Sequence, residues 1–190
     1  MVRLRGLVLT SLAVVFGHAL PAQESDKAVT LTVTEDSGRY VLTVPVSRLV
    51  MAIPKGSLRI AAAASGGALA SPRYFSFEDD SLPLSISGWF ESADGFSDIQ
   101  AFWRQETAAW KQHHAPEPRN VSFVKVGHWD AVVYDLRIPI AKDTEIRAHW
   151  VAAGTWIDIH LSLAGDEPEP ELRRKLRAVL ESIRVTEKTP

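Results

Sequence analysis

The segment from Val121 to Leu163 carries the strongest strand signal in the chain, and it commits the fold to a sheet. Val121 to Val126 reads as one strand. Ala131 to Ile138 reads as a second, with Val132, Tyr134, Leu136 and Ile138 on one side and Asp135 and Arg137 on the other. Pro139 to Thr144 turns the chain. Ile146 to Ala152 and Trp156 to Leu163 then form a hairpin about Ala153-Gly154. Short returns of this kind make neighbouring strands antiparallel.

The first half adds more strands. Val29, Leu31 and Val33 alternate with Thr30, Thr32 and Thr34 over Ala28 to Thr34. Glu35-Asp36-Ser37-Gly38 turns, and Tyr40 to Val44 returns, so this part opens as a hairpin. Pro45 interrupts the ladder. Leu49 to Ile53 is a short strand ended by Pro54-Lys55-Gly56, and Tyr74 to Glu78 and Leu84 to Glu91 are strands around Asp79-Asp80-Ser81. Between them, Ile60 to Ser71 is rich in Ala, Gly and Ser and has little to bury. It reads as a loop and as a candidate binding loop.

Two helices are expected. Ser97 with Gln100 three residues on fits a capping box, and Ile99, Phe102, Trp103 and Trp110 fall on one helical face. That helix ends near His113-His114, before Pro116 and Pro118. Asp166 to Pro170 caps the second, where Leu172, Leu176, Val179, Leu180 and Ile183 form a stripe. Its acidic start and its later Arg173, Arg174, Lys175 and Arg177 suit the helix dipole. The expected class is α+β, a largely antiparallel sheet flanked by two main helices.

Arg3 and Arg5, an uncharged apolar run from Gly6 to Phe16, and small residues at Ala19 and Ala22 have the layout of a secretory signal peptide. The run is too short to span a bilayer, which takes about 20 apolar residues, so no transmembrane anchor is expected after cleavage. Cleavage before Gln23, to which cleavage after Ala19 is the alternative, removes 22 of 190 residues and leaves 168, enough for a single α/β domain over 23–190. Arg3 and Arg5 leave with the signal, so 21 basic residues against 23 acidic become a balance of −4. That balance argues against a nucleic-acid surface. The chain has no Cys, which excludes disulfides, thiol nucleophiles and thiolate metal sites, and six Trp and seven Phe supply packing bulk instead. A Cys-free exported protein fits the bacterial periplasm or secretion from a bacterium.

No catalytic signature stands out. There is no Gly-x-Ser-x-Gly elbow, no His-Glu-x-x-His, no phosphate loop and no dinucleotide fingerprint, and no cofactor is expected. His113 and His114 are adjacent, so on a helix they point about 100° apart and are poorly placed to share an ion. One polar cluster follows from register. A two-residue turn at Ala153-Gly154 sets His149 opposite Asp158 and Arg147 opposite His160. If the preceding turn is centred near Ala141-Lys142, Asp135 lies opposite His149 from the other side, giving a row Asp135, His149, Asp158 beside Arg137, Arg147, His160. Such a row could bind zinc or work as acid and base. The blander reading is a cross-strand charge ladder facing solvent, since a one-residue slip in register disperses the cluster. Trp156 shares its face with Asp158 and His160, and an exposed Trp there would anchor a contact.

The order of elements is hairpin, strand into Pro54-Lys55-Gly56, two strands, helix Ser97 to Gln112, several antiparallel strands, and a helix from Pro170 to Val185. It resembles the PsbP/Mog-like α/β sandwich family. The resemblance implies an antiparallel sheet with helices on its faces and a non-enzymatic job, such as assisting photosystems, binding a small GTPase or acting as an export adaptor. It transfers no specific residue. The expectation is an accessory module that binds another exported or envelope protein through Arg147, His149, Trp156, Asp158 and His160, with Asp135 beside them. His149→Ala and Trp156→Ala would then weaken capture and leave the melting temperature nearly unchanged. A carrier of a small apolar ligand is the second reading, and a metal-dependent enzyme using the His/Asp row the third.

Overall fold

The described residues form two antiparallel sheets, two α-helices and a short 3-10 helix at Ala93–Gly95. The computed structural model describes residues 31–43, 47–61, 73–79, 81–138 and 141–188. In chain order the elements are β1 (Thr32–Asp36), β2 (Arg39–Thr43), β3 (Leu49–Pro54), β4 (Leu58–Ile60), β5 (Tyr74–Asp79), β6 (Leu84–Ser92), α1 (Ile99–Gln112), β7 (Arg119–Val126), β8 (Trp129–Ile138), β9 (Ala141–Ala152), β10 (Thr155–Gly165), α2 (Glu169–Ser182) and β11 (Arg184–Glu187). The larger sheet has the order β4-β5-β6-β10-β9-β8-β7 and the smaller β1-β2-β3-β11. The α+β class and the antiparallel pairing are as expected. The signal segment and residues 62–71 of the expected loop lie outside the described residues.

Two hairpins explain much of the register. Ser37 and Gly38 have φ of 48° and 74°, and Ala153 and Gly154 have φ of 47° and 72°. Paired left-handed residues make the tight turn whose twist matches that of the strands. The second turn sets Thr155 opposite Ala152 and runs the β9–β10 ladder on to Gly165 opposite Lys142.

Both faces of the larger sheet are covered. One face presents Ile86, Phe90, Ile146, Ala148, Ile157, Ile159 and Leu161, and packs against Leu172, Leu176 and Leu180 of α2 and Leu42, Met51 and Ile53 of the smaller sheet. Tyr40 ties the sheets together. Its ring stacks on Phe77 at 4.8 Å and its hydroxyl donates to the Leu58 carbonyl at 3.0 Å. On the other face α1 sets Trp103 and Trp110 against Val132 and Tyr134.

The elements differ from expectation in a few places. Asp98, not Ser97, caps α1, with its Oδ1 accepting from the Ala101 N–H at 2.7 Å. Asp166 does not cap α2, which starts from Pro168 with no side-chain cap. The β8–β9 connection is shorter than expected: Ile138 pairs with Ala141. Two short strands, β4 and β11, have no counterpart in the sequence reading. Three or four residues are too few to display a period.

Gly88 faces Phe75 across β5 and β6. A Cβ there would sit 2.1 Å from the Asp158 carbonyl oxygen and 2.7 Å from Phe75 Cζ, so neither backbone nor ring has room for it. Gly88→Ala is expected to cost about 2–4 kcal/mol in urea denaturation. Gly95→Ala, whose Cβ would meet only Trp156 at 3.9 Å, is expected to stay within about 1 kcal/mol.

Candidate functional site

Alternation along β9 puts Asp143, Glu145, Arg147 and His149 on the face beneath α1, and β10 adds Trp156, Asp158, His160 and Ser162. His149 is directly opposite Asp158, and Arg147 opposite His160, as the Ala153-Gly154 turn predicted. The contacts, however, run diagonally. The Trp156 Nε1–H donates to His149 Nδ1 at 2.8 Å. Arg147 Nη2 donates to Asp158 Oδ2 at 2.6 Å. His160 Nε2 meets Glu145 Oε2, and the Ser162 hydroxyl lies 2.9 Å and 3.1 Å from the two oxygens of Asp143. Each partner is thus two residues away from direct register, on four successive rungs.

The row does not face solvent. Glu145 and His149 are each 1% exposed, and Arg147, Asp158 and His160 are buried with them. Arg147 lies between two rings, 5.1 Å from the centroid of Phe102 on α1 and 5.7 Å from that of Trp89 on β6. Phe96 stacks on His149 at 5.0 Å and Phe102 tilts against it at 4.3 Å. Trp156 is half-buried and spends its N–H inside the row. The expected exposed binding face is therefore corrected: five of the six residues converge, but under a helix.

Asp135 is the sixth, and it is elsewhere. The short β8–β9 connection pairs Asp130, not Asp135, with His149. The two positions differ by five residues, an odd number, so Asp135 points to the α2 face. There it accepts from Arg173 Nη2 at 2.7 Å, Asn120 Nδ2 at 2.9 Å and the Thr144 hydroxyl at 3.1 Å. Arg137 pairs with Lys142 and also leaves the row. Asp143, Glu145 and Ser162 were missed, although the same alternation from His149 and His160 reaches them.

Burial sets the protonation. It pushes His149 well below its usual range, with Arg147 adding to the effect. Because His149 Nδ1 accepts from Trp156, the neutral ring carries its proton on Nε2, where it finds no partner. Burial, then Arg147, lowers His160 to about 4. Asp143 is raised to about 7 by burial and by Glu145 beside it, and Glu145 is raised to about 7 by burial. Arg147 stays charged against Asp158, whose carboxyl burial pushes up while Arg147 opposes it. The row therefore holds one ion pair, two neutral imidazoles and two carboxyls that keep protons near neutrality. Among the described residues no group of three or more His, Asp or Glu side chains is arranged to hold a metal ion.

No protein-family model and no curated protein matches the chain. A crystal structure of a protein from Bacteroides thetaiotaomicron VPI-5482 is similar with a TM-score of 0.42 and 12% identity, over 73% of this chain and 45% of that one. This chain thus spans less than half the length of that protein. A likeness at this level identifies neither family nor activity, and the PsbP/Mog-like resemblance rests on the order of elements.

Two outcomes are expected. His149→Ala should lower stability by about 2–3 kcal/mol, because it removes a filled, aromatic-walled position and orphans the Trp156 N–H; thermal denaturation measures it. The second concerns pH. Asp143 and Glu145 have raised folded pKa values, so the stability they add is present below about 4 and lost as pH rises through about 7. The two histidines act oppositely: their contribution is present above about 6.5 and lost as pH falls towards the lowered values. The two sets offset each other between about 4.5 and 6.5. Asp143→Asn with Glu145→Gln removes one set only. Relative to the parent, the variant's stability should rise across that window by up to about 1.4 kcal/mol per pH unit for each uncompensated proton. Parallel urea-denaturation profiles for the two proteins would contradict the protonation assignment.

Proposed function

We propose that this chain is an exported, non-enzymatic accessory module that binds another bacterial envelope protein, with the outer strand β7 as its contact. The observation that carries this reading is the contrast between its two polar and apolar displays. The acid–base side chains are enclosed and partnered beneath α1, whereas Val121 and Phe123 stand 39% and 44% exposed on β7. Both project from the last strand of the seven, whose outer edge pairs with nothing among the described residues. An exposed apolar pair on a free edge is a liability unless it is used. The signal-like segment at Met1 to Ala22 supports the compartment, and the mildly acidic balance disfavours nucleic acid.

A second reading has its own observation. A groove of about 350 Å³ runs between the β7–β8 turn and β11, lined by Val126, Trp129, Trp150, Ile183 and Val185, with the His128 ring 4.7 Å from that of Trp150. That volume and lining suit a small apolar ligand. Native mass spectrometry of protein purified from its own host separates the readings: a small apolar adduct favours the carrier, a protein-sized one the accessory module.

A photo-crosslinking residue at position 123, placed in the exported protein in living cells, should give one dominant protein adduct. The same residue at Arg104, exposed on α1, should not. Phe123→Ser should abolish capture and shift the melting temperature by less than about 2 °C, as expected for a surface change under about 0.5 kcal/mol. No adduct at position 123 would sink the proposal.

A further inference from the structure

We infer that the polar row beneath α1 binds one water molecule, held between Arg147, His149 and Asp158 as a fixed part of the structure. The inference goes beyond the accessory-module reading and stands or falls without it. Three buried polar atoms carry it. Arg147 Nε, His149 Nε2 and Asp158 Oδ1 are shut off from solvent, and none has a hydrogen-bond partner among the described residues. Their side chains are 7%, 0% and 8% exposed. Buried polar groups in folded proteins are nearly all satisfied, by protein or by ordered water, because an orphan costs the full penalty of its desolvation.

The three atoms belong to planar groups gathered about one carboxylate. Arg147 Nη2 holds Asp158 Oδ2 at 2.6 Å, and Nε lies on the same guanidinium. Oδ1 is the other oxygen of that carboxylate, 3.9 Å from His149 Nδ1. That separation is too long for a hydrogen bond, and Nδ1 already accepts from the Trp156 N–H at 2.8 Å. The same bond fixes the tautomer, so Nε2 carries the ring proton. The walls are aromatic: Trp89 and Phe102 flank the guanidinium, and Phe96 and Phe102 meet the imidazole.

Hydrogen-bonding valence then selects the occupant. The unmet groups are two N–H donors and one carboxylate acceptor. A metal ion would face the two N–H groups, and an anion would face Oδ1. A hydroxyl oxygen accepts two hydrogen bonds and donates one, which matches all three atoms. Water and the alcohol group of a larger ligand share that chemistry. Enclosure favours water, and buried waters typically make about three such bonds to groups that protein leaves unsatisfied.

The test joins a high-resolution crystal structure of the protein purified from its own host to NMR of the same protein. One isolated density peak is expected within hydrogen-bond distance of Arg147 Nε, His149 Nε2 and Asp158 Oδ1. Cross-relaxation from water to the Arg147 Nε and His149 Nε2 protons should give NOE and ROE signals of opposite sign, which marks a long-held water. Arg147 Nε bonded directly to Asp158 Oδ1, a two-pronged pair with no peak beside it, overturns the inference. Density that runs on from the peak into a larger molecule also overturns it, in favour of a ligand's alcohol group. Arg147→Met with Asp158→Leu removes two of the three partners and replaces a buried ion pair by apolar side chains, a change that folds often tolerate. Oxygen-17 relaxation dispersion should then lose the contribution of one long-held water, and an unchanged amplitude in a folded variant counts against the site. If that variant does not fold, the density and the cross-relaxation of the parent protein decide alone.

Discussion

The ion pair between Arg147 and Asp158 is the constraint around which the rest is arranged. A guanidinium taken out of water must have its charge met at close range, because the cost of an unpaired buried ion exceeds what any one contact returns. Here the carboxylate is met at 2.6 Å on the neighbouring strand, with the Phe102 and Trp89 rings on either side of the cation. Four elements are therefore held to one point: β9 supplies the cation, β10 the anion, β6 one ring and α1 the other. Helix α1 is amphipathic in an unusual sense. Its inner face carries aromatic rings that meet a polar floor, and the ring faces are what make that floor tolerable to a cation.

The neighbours of the pair follow from it. Burial outweighs the opposing pull of His160 on Asp143 and of Arg147 on Glu145, so these two keep protons that exposed carboxyls would lose. The histidines, near the same cation and away from water, give theirs up. Protons are redistributed within the row, so folding takes up little net proton between about pH 4.5 and 6.5, while the two carboxyls release theirs as pH rises through about 7.

Much of this was legible in the residues, and the rest failed for identifiable reasons. The left-handed pair at Ala153-Gly154 fixed His149 opposite Asp158 and Arg147 opposite His160, since a two-residue turn leaves one register open. The β8–β9 connection had no such signal: Pro139 and the residues after it fit turns of several lengths, and the wrong centre carried Asp135 to the opposite face. Alternation also cannot say what lies above a polar face. The pattern that reads as solvent-facing is identical when a helix of Trp and Phe covers it, so burial of the row was out of reach. Short strands such as β4 were invisible because only Leu58 of its three residues is buried.

The uniform offset of the four rungs has a further consequence. The hydrogen bonds from Trp156 to His149, Arg147 to Asp158 and Ser162 to Asp143, and the contact of His160 with Glu145, each join residues two places from direct register. Sliding one strand by two residues would keep each side chain on its own face and bring the same partners directly opposite, still within reach. The polar row is thus nearly degenerate between two alignments, and its chemistry cannot choose. The choice falls to Ala153 and Gly154, because the slid alignment would need a four-residue loop, and to the apolar face, where Ile157 and Ile159 would lose their fitted neighbours. Specificity of alignment in this sheet lives in the bend and the hydrocarbon, and the charges inherit the position they are given.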